Sequence, residues 1–162
     1  MIMKYIIALI IGGLLISCEY KNNESHHYYI RFKNESNRSI YIAESEYYPD
    51  TFCLLENRAK YVSKYPFPYK VLPGAINDDA FFTTTPWEFS FGNENCLPSD
   101  TLIIYVYDGD LIEKGDFDSE HKYMLARYDL SLADLQHVNW LLTYPPSENM
   151  RDIKMWPYYN SK

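Results

Sequence analysis

Short runs of alternating apolar and polar residues, one wholly apolar run at 102–107, and turn-forming clusters between them predict a mainly β chain. Seven or eight such runs with one short helix near residues 131–139 point to an antiparallel two-sheet β-sandwich, immunoglobulin-like in general architecture, rather than a barrel. At 162 residues the chain is long enough to bury one core.

The first strand is expected in "HYYIRFKN", where Tyr28, Ile30 and Phe32 share one face and Tyr29, Arg31 and Lys33 the other. "NESNR" supplies a turn, and "SIYIAESEYY" turns Ile40 and Ile42 inward. These two runs are expected to pair antiparallel, with their apolar faces on a shared core. Three prolines in "YPFPYKVLPGA" limit ladder bonding and suggest an edge or irregular segment. "WEFSF" alternates Trp87, Phe89 and Phe91 against Glu88 and Ser90, as a strand would. "TLIIYVY" is the candidate central strand, covered on both faces, and "DGD" ends it with turn chemistry. "KYMLARYDL" reads as a strand leading into the helix "SLADLQHVN", where Ser131 is the N-cap, Asp134 the third helical position, and Leu130 and Leu135 a hydrophobic staple. So short a helix needs Leu132, Leu135 and Val138 packed on the domain. "WLLTYPP" returns as a strand stopped by Pro145 and Pro146, and "MRDIKMWPYY" adds a last edge strand.

The amino terminus carries an address. Lys4 precedes the uncharged run "YIIALIIGGLLIS", too short to cross a hydrocarbon core of ~30 Å with room to spare, which reads as a signal sequence. At its end Leu15, Ile16, Ser17 and Cys18 resemble a bacterial lipobox. That resemblance implies a diacylglycerol thioether on Cys18, cleavage after Ser17 and acylation of the new amino terminus. One acyl chain retains a protein only marginally, whereas several hold it firmly. The chain is thereby divided into a lipoprotein signal peptide (1–17), a polar tether with lipidated Cys18 (18–27) and a single β domain (28–162).

Charge narrows the partners. Without residues 1–17 the chain keeps 14 basic against 22 acidic side chains, near −8. The basic residues are scattered, which argues against a phosphate footprint and so against nucleic acid. Export permits Cys53 and Cys96 to form one bridge, the alternative being two separately buried thiols.

No nucleophile elbow, phosphate loop or zinc spacing is present. His26 and His27 fall in the expected tether, and His137 on a helix flank. The acidic run with Asp108, Asp110, Asp116, Asp118 and Glu120 has Glu113 where a calcium loop needs glycine, and reads as a surface loop. No catalytic residue, cofactor or metal is expected. Trp87 and Trp140 are expected in the core, while Trp156, Tyr158 and Tyr159 are the candidate contacts for a ligand or partner.

The segments "IRFKNESNRSIYIAESEYYPDT", "DTLIIYVYDGD" and "RYDLSLADLQHVNWLLTYPP" resemble small uncharacterised lipoproteins of Bacteroides-like bacteria. The resemblance implies an exported lipoprotein of the cell envelope, most simply of the outer membrane, with a small β-rich domain, and assigns no reaction. Asp100-Thr101-Leu102 resembles an O-glycosylation site of such bacteria, and Glu19 and Glu24 match their surface-export signal poorly. The expectation is a non-catalytic accessory protein that binds another envelope protein, with a glycan-binding module for polysaccharide capture as the alternative.

Overall fold

The structure, a computed structural model, describes residues 21–49, 52–117 and 122–159, leaving aside the side chains of 52–57 and 68. Among the described residues eight strands form two mostly antiparallel sheets. The strands are β1 (Tyr29–Asn34), β2 (Ile40–Ser45), β3 (Lys70–Val71), β4 (Ile76–Phe82), β5 (Leu102–Asp108), β6 (Met124–Leu130), β7 (Leu141–Tyr144) and β8 (Lys154–Trp156). The smaller sheet has the order β4-β1-β7, and the larger β3-β2-β5-β6-β8. The helices are α1 (Phe52–Lys64), α2 (Pro66–Tyr69, kinked at Phe67), α3 (Trp87–Ser90), α4 (Gly109–Lys114) and α5 (Leu132–His137). No described helix is long and apolar enough to cross a membrane.

β5 is the central strand, with every residue buried. Its alternation feeds two clusters. Leu102, Ile104 and Val106 join Ile30 and Phe32 of β1 and Leu142 of β7, so one core draws on both sheets. Ile103, Tyr105 and Tyr107 join Ala59 and Val62 of α1 and Ile112 of α4, which cover the other face. That double covering is why the run is apolar throughout.

Four expectations need correcting. β1 and β2 do not pair with each other: β1 pairs antiparallel with β4 and parallel with β7, while β2 pairs with β3 and β5. Their apolar faces do share a core, but from separate sheets. The reason lies in the connection, where buried Asn34 donates to the carbonyls of Arg38 (2.8 Å) and Val71 (3.0 Å) and accepts from Ser36, turning the chain from one sheet to the other. Secondly, "WEFSF" is helical in part: Trp87 and Ser90 are buried one turn apart, and Phe89 is exposed. Thirdly, α1 adds a 13-residue helix where no element was expected. Finally, the start of the acidic run is not a loop but α4, capped by Asp108, whose carboxylate accepts from the amides of Asp110 and Leu111.

The other elements read from the sequence are present, while β4 lies where no strand was expected. Ser131 and Asp134 form the capping box of α5, and Leu130, Leu135 and Val138 are buried. β3 and β8 are the edges of the larger sheet. Trp87 and Trp140 are 4% and 3% exposed, inside the core.

Candidate functional site

β7 and β8 are edge strands of different sheets, and a cleft of about 440 Å³ lies where they meet. Its wall comes from β6 (Leu125, Tyr128), the end of β7 (Tyr144), β8 (Met155) and the final segment (Tyr158, Tyr159), with Pro145, Pro146 and Pro157 between. The prolines explain its openness. A strand that runs into proline loses a ladder donor, so neither edge continues across the gap.

Tyr128 braces the floor. Its hydroxyl donates to the Thr143 carbonyl at 3.0 Å, joining β6 of one sheet to β7 of the other. Burial pushes its phenol well above the ordinary tyrosine value, so it stays a donor. Burial also raises Tyr144, with Asp108 acting in the same direction and Arg38 opposing. The guanidinium of Arg151 stands 6.0 Å from the Tyr159 ring centre. The wall is therefore aromatic, apolar and edged by phenol hydroxyls, with no carboxylate, imidazole or thiol among its described side chains. Such a surface can hold an apolar or ring-bearing group by burial and offer a few hydrogen bonds.

Of the three aromatic contact candidates, two meet here. Tyr158 is 77% exposed and Tyr159 is partly buried against the core. Trp156 belongs elsewhere, because β8 alternates: Met155 points into the cleft and Trp156 to the other face, half exposed. Beside it Lys154 bonds the Tyr48 hydroxyl (2.6 Å) and pairs with Asp129 (3.2 Å). The aromatic residues thus do not line up as one row on a sheet face.

Tyr128, Tyr144, Leu125 and Met155 went unmarked as site residues in the sequence. Their signal was the pair of aromatic-proline breaks, Tyr144-Pro145 and Trp156-Pro157, which end two strands at one place.

The other candidates separate. Cys18 lies outside the described residues, as do Asp118 and Glu120. Cys96 is partly buried and has no disulfide partner among the described side chains, which do not include that of Cys53, so the bridge stays an expectation. Among the described residues no group of three or more His, Cys, Asp or Glu is arranged to hold a metal. Thr101 donates its hydroxyl to the Ser99 carbonyl at 3.2 Å. His137 is exposed at the end of α5. His27, expected in a free tether, is docked: its ring pairs with Glu88 of α3 and stacks on Trp140 with centroids 4.3 Å apart.

No family model, curated protein or solved structure matches this chain.

Proposed function

We propose that this chain is a lipid-anchored protein of the bacterial cell envelope, held through Cys18, that binds another envelope protein without catalysing a reaction. The observation carrying this reading is the cleft between β7 and β8, whose apolar and phenolic wall suits capture of an apolar side chain from a partner. Its position beside β8, an edge strand among the described residues, gives a partner segment backbone groups to meet as well. The two sheets are read as the faces of a sandwich of general immunoglobulin-like architecture, supported by the one core to which both contribute. The outer membrane is the compartment implied by the lipobox resemblance, with either leaflet face compatible with it.

Glycan capture is the second reading, favoured by the exposed ring of Tyr158 at the cleft mouth. One variant separates the two. Tyr158→Ser removes a ring that is mostly solvent-exposed, so the fold is retained. Purification from native membranes is expected to return an envelope protein with the wild type and to lose it with the variant. Recovery of the lipoprotein alone in both cases would overturn partner binding. Heat on titration with a polysaccharide, abolished by the same variant, would transfer the cleft to glycan capture.

A further inference from the structure

We infer that the face bearing Phe82 and Phe89 lies against the bilayer, a step that rests on the reading of Cys18 as lipidated. The first ground is that the tether is not free beyond its opening residues. The Asn22 side chain accepts from the amides of Tyr28 (2.7 Å) and Tyr29 (3.0 Å) and donates to the Tyr29 carbonyl (2.9 Å). Asn23 accepts from the amides of Ser25 and His26, both at 2.8 Å. The His27 amide donates to Glu88, and the Trp87 amide donates to the His27 carbonyl at 2.8 Å. From Asn22 onward the chain is therefore part of the domain.

Only four residue steps separate Cys18 from Asn22. Fully extended, they span about 14 Å, half or less of a hydrocarbon core of ~30 Å. A domain on so short a leash cannot stand clear of the surface. The face at which the leash enters must stay close to the headgroups.

That face carries exposed aromatics. Phe89 of α3 is 58% exposed with its ring 5.5 Å from His26, and Phe82 of β4 is 47% exposed with its ring 4.9 Å from Tyr29. Both lie next to the docked tether, and burying them in the headgroup region adds apolar contact to that of the acyl chains. Charge on this face is mixed: Asp78 and Asp79 are exposed on β4, Glu88 is paired with His27, and β1 carries Arg31 and Lys33, the latter paired with Glu35. The contact is thus with the neutral, apolar part of the interface rather than with anionic headgroups.

This orientation leaves the cleft reachable. The parallel register of β1 and β7 sets Leu141 beside Arg31 at the tethered end and Tyr144 beside Asn34 at the other. Tyr144, Pro145 and Pro146 of the cleft lie at the end of β7 away from the bilayer.

The test uses the full lipidated protein in phosphatidylcholine vesicles with brominated acyl chains. Phe89→Trp and Phe82→Trp each add a fluorophore at an exposed position, and Tyr61→Trp adds one on α1, across the larger sheet. The added emission of the first two is expected to fall by about half or more, as for interfacial aromatics. That of Tyr61→Trp is expected to fall no more than the wild type's. If all three variants resist quenching while mass spectrometry shows Cys18 lipidated, the orientation is overturned and the anchored reading stands. If Cys18 is unmodified and the protein does not partition, both fall.

Discussion

Asp108 ends β5 and starts α4, and its removal gives a graded test of how that junction is held. One carboxylate oxygen accepts from the amides of Asp110 (2.9 Å) and Leu111 (3.2 Å), and the other pairs with Arg38 at 2.6 Å. Asp108→Ala removes both interactions. Loss of the cap costs about 1 kcal/mol. The pair is worth less, about 0.5 kcal/mol, because the Arg38 side chain is half exposed and solvent screens it. The total of about 1.5 kcal/mol lowers Tm by roughly 6 °C for a domain of this size. Asp108→Asn keeps an acceptor for the two amides and loses only the charge, so its drop should be about a third as large. Arg38→Gln should match the asparagine variant, and the two together should add little, since both break one pair. Urea and thermal unfolding followed by circular dichroism measure all four. If asparagine costs as much as alanine, the capping bonds contribute nothing and the reasoning fails.

Three further outcomes follow from the same packing. Gly109→Ala places a Cβ 2.5 Å from the Ser39 carbonyl oxygen, a backbone atom that cannot swing aside; it should cost about 1–3 kcal/mol, and unchanged urea midpoints would contradict that close approach. Tyr128→Phe deletes the hydroxyl bonded to the Thr143 carbonyl and should cost about 1 kcal/mol, with a silent substitution showing that the two sheets are not braced there. Burial raises the Glu44 carboxyl above its ordinary range, with Arg58 opposing. The fold therefore binds that proton more tightly than the unfolded chain does, and the favourable contribution present at acid pH is lost as pH rises through the raised value. Glu44→Gln should gain on the wild type from about pH 4 toward neutrality, whereas parallel pH profiles would refute the shift.

What the sequence reveals depends on whether the deciding contacts are local. The α5 capping box is written in four consecutive residues, Ser131 to Asp134, and β5 announces its double burial by having no polar face. The partner of β1 is not local: it is chosen by β7, more than a hundred residues away, and by β4. A short turn after an alternating run suggests a hairpin, and only the burial of the Asn34 amide distinguishes a crossing between sheets. "WEFSF" fits two periods at once, because Trp87, Ser90 and Phe91 also satisfy helical spacing. For α1 the signal lay in Ala59 and Val62, three residues apart among good helix formers, a stripe too narrow to stand out. The cleft was half legible. Tyr158 and Tyr159 stand out as a terminal aromatic pair, but Tyr128, Tyr144 and Met155 join them only when edges of two sheets meet.

Anchoring through a single modified thiol is the claim on which location, orientation and partner depend. Intact-mass and peptide analysis of the protein drawn from its native membrane tests it most directly. The account predicts a polypeptide beginning at Cys18 and heavier by a diacylglyceryl group and an amide-linked acyl chain. A chain that still carries residues 1–17, or begins at Cys18 with an unmodified sulfur, would contradict it.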